Sequence, residues 1–228
     1  EHIIQYLAKH NFDDICIIIV HQSEQIKKYF GDGSNFGVKI TYVYQKEQKG
    51  TAHATYLSKN FVGQDNFLLY LADTIIPNDL NNFLQKTSKN FDIEILSSDV
   101  NKEKSNSVGT ISYKGDGLVT EILEKNNVDG VVLAWAGIAL FKSNKIFKTI
   151  EELQPSIREE YEITDAINNL IQNGSQVRHH RYFSFIDAGT VKGLLDLQKF
   201  LLKEKKSELQ SSSIILSNTV YIGENCKF

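Results

Sequence analysis

Apolar positions in the first half of the chain switch repeatedly between helical and strand spacing. Residues 2–10 place Ile3, Ile4 and Leu7 on one helical face, and the unbroken run Ile15-Cys16-Ile17-Ile18-Ile19-Val20 predicts a buried strand. Helical spacing returns at 23–30, a strand at 38–44, a helix at 51–59, a second buried strand at 67–72 and a helix at 78–88. Strands and helices in alternation predict an α/β fold whose core sheet is parallel, with helices on both faces. The middle of the chain reads differently. Strand patterns at 93–97, 108–113, 119–123 and 131–141 lie close together, and Lys114-Gly115-Asp116-Gly117 between two of them is a hairpin signal. The sheet is therefore expected to be mixed, though mainly parallel. Helices are expected again at 144–153, 161–173 and 190–205, with Gly174 ending the second.

The last residues change character. Lys203 to Ser213 is charged and then Ser-rich, which reads as a linker. Beyond it Leu216, Ile222 and Phe228 recur every six residues, as do Val220 and Cys226, a period that fits one coil of a hexapeptide β-helix. The expected division is a domain at 1–207, then a linker and first β-helix coil at 208–228. A single coil cannot bury its faces alone, so further coils are expected after Phe228. At the other end, Glu1 opens directly in a helix pattern in a chain without Met, so a preceding strand and loop are expected.

Composition narrows the functional classes only a little. The 228 residues are 41% hydrophobic and 23% charged, and the net charge of -3 points to neither a nucleic-acid nor an anionic-membrane partner. No run is long enough to cross a bilayer as a helix, and no signal peptide opens the chain. The two cysteines, Cys16 and Cys226, form no C-x-x-C pair, so a cytoplasmic setting with free thiols is expected.

Four constellations carry possible chemistry. In Gln45-Lys46-Glu47-Gln48-Lys49-Gly50-Thr51-Ala52-His53-Ala54 a strand gives way to a helix. Gly50 allows close backbone approach to a flat ligand, and the Gln45 amide can both donate and accept, as a pyrimidine edge requires. The plainer reading is a loop in which Thr51 caps the helix. Asp73 follows the apolar run Leu68-Leu69-Tyr70-Leu71-Ala72, a strand-end position where α/β sheets bind ligands. Its carboxylate is either a Mg²⁺ ligand or a turn residue before Pro77. Asp187, in Phe185-Ile186-Asp187-Ala188-Gly189-Thr190, is either a partner to Asp73 on one metal or a cap for the next helix. Glu124-Lys125 closes the strand 119–123, as a phosphate-binding pair or a solvated one. Gly31-Asp32-Gly33-Ser34-Asn35-Phe36-Gly37 follows a helix and opens a strand, the reverse of a dinucleotide fingerprint. In Arg178-His179-His180-Arg181, strand alternation sends the two histidines to opposite faces, which excludes a shared ligand role.

Taken in order, these stretches resemble the nucleoside-diphosphate-sugar pyrophosphorylases, a family that includes glucose-1-phosphate thymidylyl- and uridylyltransferases and bifunctional N-acetylglucosamine-1-phosphate uridylyltransferases. The match runs through Tyr29-Phe30-Gly31-Asp32-Gly33-Ser34, Gln45 with Gly50-Thr51-Ala52-His53-Ala54, Ala72-Asp73, Glu124-Lys125, Ala136-Gly137-Ile138 and Asp187-Ala188-Gly189-Thr190. Its most specific part is Ser156-Ile157-Arg158-Glu159-Glu160-Tyr161-Glu162-Ile163-Thr164-Asp165-Ala166-Ile167. The resemblance implies a Rossmann-like nucleotidyltransferase domain followed by the start of a left-handed β-helix. It implies that Gln45, Gly50 and Thr51 hold the base, that Asp73 and Asp187 hold Mg²⁺, and that Lys125 meets the sugar phosphate. It also implies that Gly109 by its backbone, and Glu124 and Glu160 by their carboxylates, meet sugar hydroxyls. The implied reaction joins a nucleoside triphosphate, UTP or dTTP favoured, to glucose or N-acetylglucosamine 1-phosphate with release of pyrophosphate. The full-length protein is expected to be a homo-oligomer.

Three positions depart from the family pattern. Ala72 replaces Gly, Trp135 stands where Asn often lies beside the sugar, and Glu159 replaces the Gly of Arg-Gly-Glu. The family's Gly-rich triphosphate loop, with its Arg and Lys, belongs upstream of Glu1, so residues 1–228 by themselves are expected to be inactive. A non-catalytic sugar-nucleotide-binding regulatory subunit of the same family is the alternative reading. An unrelated α/β binding module, predicting no Mg²⁺-dependent nucleotide binding at Gln45 and Asp73, is a third.

Overall fold

The computed structural model describes residues 1–77, 79–101, 108–124, 130–182 and 184–204. They form two compact units, one of residues 1–72 and 79–184 and one of 73–77 and 185–204. The expected linker and β-helix coil, and the 207/208 boundary, lie outside the described residues.

In the larger unit, α1 (His2–Lys9) leads to β1 (Asp14–Ile19), α2 (Ser23–Phe30), a 3₁₀ turn (Ser34–Phe36) and β2 (Lys39–Tyr44). β1 and β2 pair in parallel from Asp14↔Lys39 to Ile19↔Tyr44. After α3 (Thr51–Leu57) and α4 (Lys59–Val62) comes β3 (Phe67–Tyr70). In the smaller unit β4 (Thr74–Ile75) pairs antiparallel with β10 (Ile186–Asp187), which precedes α8 (Val191–Glu204). The larger unit continues with α5 (Asn81–Leu84), β5 (Ile93–Val100), β6 (Gly109–Lys114), β7 (Leu118–Glu124) and β8 (Val132–Phe141). It closes with α6 (Lys145–Glu151), α7 (Ile163–Gln172) and β9 (Val177–Tyr182).

The sheet of six strands runs β3-β8-β5-β9-β7-β6, so it is mixed as expected, but it is not mainly parallel. Among the described strands only β1–β2 and β5–β9 pair in parallel. Helix–strand alternation makes neighbours parallel only if successive strands pair with each other, and β3 pairs instead with the distant β8. The hairpin at 114–117 is present and forces β6 and β7 antiparallel. β1 and β3 also differ from expectation in being half-buried rather than buried, since each pairs with one neighbour only among the described strands. The helix expected at 78–88 shrinks to Asn81–Leu84, where the Asp79 carboxylate accepts the Asn81 N–H and starts the turn.

One apolar layer covers the six-stranded sheet. Ile93, Ile95, Ile122, Trp135 and Phe141 meet Ala52 of α3, Ile146 and Phe147 of α6, and Ile163, Ala166 and Ile167 of α7. Burying a side chain of this kind contributes roughly 1.5–3 kcal/mol, so this layer fixes where α3 and α7 begin. Across β5 and β9 lies a buried polar cluster. Glu94 is fully buried and accepts from Lys142 Nζ, His180 Nε2 (2.6 Å) and the Ser88 N–H (2.6 Å). Burial pushes its carboxyl up, but those three donors outweigh burial and hold it below the usual carboxylate range. His179, one residue earlier, contacts Ser97 instead, as strand alternation requires. No helix among the described residues is long and apolar enough to cross a membrane.

Candidate functional site

The loop before α3 is held against the segment before α7 by paired backbone bonds. Tyr161 N–H donates to Lys49 O (2.8 Å), and Ala52 N–H donates to Tyr161 O (2.8 Å). Gly50 lies between them with φ +97 and ψ 179, a region open essentially to glycine. A β-carbon there would sit 2.6 Å from Tyr161 O and 3.1 Å from Glu160 Cβ. The glycine is thus required by this packing, a tighter constraint than the ligand approach expected from the sequence.

Thr51 does not cap α3, whose N-cap is Gly50. Its hydroxyl accepts the Ile163 N–H (3.0 Å), the first orphan donor of α7, and donates to Glu162 Oε2 (3.3 Å). Glu162 is buried, and its other oxygen accepts from Arg158 Nη2 (2.7 Å). Burial raises the Glu162 carboxyl pKa, the Arg158 charge opposes that, and the nearby Glu124 and Glu160 raise it further. Gln45 is buried as well. Its amide nitrogen donates to Gly50 O (3.3 Å) and to His53 Nδ1 (3.0 Å), so both N–H groups serve the loop itself.

α7 carries the connection to the other motif residues. Thr164 Oγ1 donates to Glu124 Oε1 (3.1 Å), and Glu124 pairs with Gly109 across β7 and β6. A β-carbon at Gly109 would lie 3.5 Å from that same Glu124 oxygen. Asn168 grips β7 with both ends of its amide, accepting the Ile122 N–H (2.8 Å) and donating to Ile122 O (2.7 Å). The Glu124 carboxylate is therefore a placed group. Glu160 is exposed beside Glu162. Lys125 lies outside the described residues.

Gln45, Gly50, Thr51, Gly109, Glu124 and Glu160 are thus brought together in the larger unit. Glu162, Arg158, Thr164 and Asn168 complete the arrangement, and sequence reasoning gave none of them a role. The signal was the place of Arg158, Glu162 and Thr164 in the 156–167 motif, with Asn168 just beyond it and one helical turn from Thr164. Trp135 is not beside this set as an open group. It is 5% exposed, and its indole N–H donates to Ile138 O (3.0 Å) where β8 bulges against β5.

The smaller unit holds the two aspartates. Asp73 lies in the turn between β3 and β4, not at the end of a parallel strand. Ala188 N–H donates to Asp73 O (2.7 Å), one step beyond the register pair Asp187↔Thr74. Asp187 Oδ1 accepts the Gly189 N–H (2.9 Å). The cap of α8 is Thr190, whose hydroxyl accepts the Gly193 N–H (3.0 Å), so Asp187 is not spent on that task. A β-carbon built on Gly189 would lie 3.0 Å from Asp187 Oδ1 and 3.3 Å from Asp73 Oδ2. The two carboxylates converge on that point. Desolvation, with the Asp187 charge as a lesser cause, raises the Asp73 pKa. Two hard oxygen donors around a space kept open by a glycine fit Mg²⁺, which takes one or two carboxylates and fills its octahedron with water and phosphate oxygens. No group of three or more His, Cys, Asp or Glu suited to a metal occurs among the described residues.

The family model for nucleotidyl transferases matches residues 1–204. The chain belongs to the nucleotidyl transferase family. A Haloferax volcanii low-salt glycan biosynthesis nucleotidyltransferase is 32% identical over 208 residues, covering 90% of this chain and 57% of that protein. A Streptomyces antibioticus glucose-1-phosphate thymidylyltransferase is 27% identical over 225 residues, covering 96% of this chain and 61% of the other. A Bacillus anthracis crystal structure with sucrose, provisionally described as a glucose-1-phosphate thymidylyltransferase, superposes with a TM-score of 0.76 at 30% identity. That match covers 86% of this chain and 78% of its neighbour. The chain spans only about 60% of the length of these two curated relatives.

Proposed function

We propose that this protein transfers a nucleotidyl group from UTP or dTTP to glucose or N-acetylglucosamine 1-phosphate. A sugar-phosphate oxygen bonds to the α-phosphorus, the bond to the β-phosphate breaks, and pyrophosphate leaves. The observation that supports this reading best is the connected set, joined by side-chain hydrogen bonds, short stretches of backbone and one strand pairing, that runs from Gln45 and Gly50 through Thr51, Glu162 and Thr164 to Glu124 and Gly109. It joins the residues that the family resemblance assigns to the base and to the sugar.

In this reading the Gln45 carbonyl accepts the imide N–H that uracil and thymine share, because both amide hydrogens are already engaged. Gly50 and Thr51 shape the floor of the base site. Gly109 offers backbone, and Glu124 and Glu160 accept sugar hydroxyls. Lys125 meets the sugar phosphate. Asp73 and Asp187 would hold Mg²⁺, which when bound neutralises phosphate charge. Such catalysis rests on positioning and charge neutralisation, without a protein nucleophile.

The test is pyrophosphate release by the full-length protein, crossing UTP, dTTP, CTP and ATP with glucose, N-acetylglucosamine and mannose 1-phosphates. Turnover confined to UTP or dTTP is expected. Nucleotide-sugar binding with no release from any pair would favour the regulatory reading instead.

A further inference from the structure

Glu162 meets no substrate in the reading above, yet it is a buried carboxylate bonded from two sides, between the base loop and the start of α7. It is 7% exposed, precedes α7 in extended conformation, and bonds to Thr51 and Arg158. On one side, Thr51 and Gly50 belong to the loop assigned to the base. On the other, Ile163 and Thr164 open α7, and Thr164 holds Glu124. Burying a carboxylate costs several kcal/mol unless its oxygens are bonded. A neutral residue would cap the helix start more cheaply, because Thr51 already satisfies the Ile163 N–H.

We propose that Glu162 is a positioning residue that couples the two halves of the ligand site: by bonding Thr51 and Arg158 it ties the base loop to the start of α7, and through Thr164 to Glu124. Nucleotide held by the loop then fixes the Glu124 carboxylate before the sugar phosphate arrives. This rests on the functional reading above. It goes beyond that reading because it makes the sugar side respond to the base side through a residue that touches neither substrate.

Hydrogen exchange in the full-length protein, with UTP or dTTP and Mg²⁺ as the probe, tests the coupling. In the unmodified protein, nucleotide is expected to slow exchange in residues 122–124 and 161–164 by about tenfold, the scale of a coupling between sites. In E162A the slowing at 122–124 is lost although nucleotide still binds, and the KM for sugar 1-phosphate rises about tenfold while kcat changes less. E162Q keeps one acceptor oxygen and restores part of both effects, which a merely structural role would not do. Should E162A fail to fold, T164V removes the hydroxyl that holds Glu124 and is expected to lose the slowing at 122–124 while nucleotide still binds. Equal slowing in the unmodified protein and the variant overturns the proposal, and so does a change confined to nucleotide affinity. If the unmodified protein binds neither nucleotide, the functional reading itself falls. If it binds one without slowing exchange at 122–124, only the coupling falls.

Discussion

Replacing Gly189 with alanine separates metal binding from stability. The added methyl would lie 3.0 Å from Asp187 Oδ1 and 3.3 Å from Asp73 Oδ2, closer than ordinary carbon–oxygen contact to both carboxylates at once. Gly189 is not in the left-handed region, so the backbone accepts alanine. Reduced freedom of the unfolded chain then adds about 0.4–1 kcal/mol of stability, which offsets the crowding. The carboxylates must move outward by a few tenths of an ångström. Mg²⁺ holds its oxygens at about 2.0–2.1 Å in a near-ideal octahedron and tolerates such movement poorly. Disturbing the surroundings of a metal ligand typically weakens affinity by about 10–100-fold. Gly189→Ala should therefore weaken Mg²⁺ binding on that scale with the thermal midpoint unchanged or slightly raised. Calorimetric titration of Mg²⁺ in the presence of nucleotide, with a parallel melting curve, measures both. Unchanged affinity would refute the Asp73–Asp187 assignment. Loss of more than about 2 kcal/mol of stability would show that the close approach is structural, as it is at Gly193, where a β-carbon would lie 1.6 Å from Asp187 O.

Four further outcomes are expected. Asp187→Asn in the full-length protein should abolish pyrophosphate release while leaving the fold intact; near-normal turnover would argue against a metal role. Gly50→Ala should cost about 3 kcal/mol or more in chemical denaturation, from the backbone region and the overlap with Tyr161, and a neutral result would contradict the loop geometry. Glu159 stands at φ +60, where the family pattern has glycine, so Glu159→Gly should raise stability by about 0.5–1 kcal/mol in the same assay. Burial first, then the charges of Arg181, His180 and Arg178, holds the His179 pKa down at about 4. The unfolded chain therefore binds a proton that the folded one does not between about pH 6.5 and 4, and stability falls as pH drops through that window. In His179→Gln, denaturation midpoints followed against pH should lose up to one proton's worth of that slope.

The two histidines illustrate what periodicity reveals. Alternation along residues 178–181 was enough to separate His179 from His180. It could not show that His180 meets a fully buried Glu94, because Glu94 looks like any surface carboxylate in the sequence. Thr51 shows the same limit. Its position after Gly50 reads as a local cap, and its hydroxyl instead serves the N-terminus of a helix more than a hundred residues later. The Gly189 cradle had no sequence signal beyond the glycine itself.

The sequence by itself determined the order of elements, the hairpin at 114–117 and the strings of residues that match the family pattern. Each is written in local spacing or in short strings of residue types. Only the tertiary structure decided which strands are neighbours, that Gly50 is reserved for Tyr161, and that Glu162 stands between the motifs. Those outcomes depend on burial and on hydrogen bonds between segments far apart in the chain, where pairing is chosen by the energy of the whole packed layer and not by local preference.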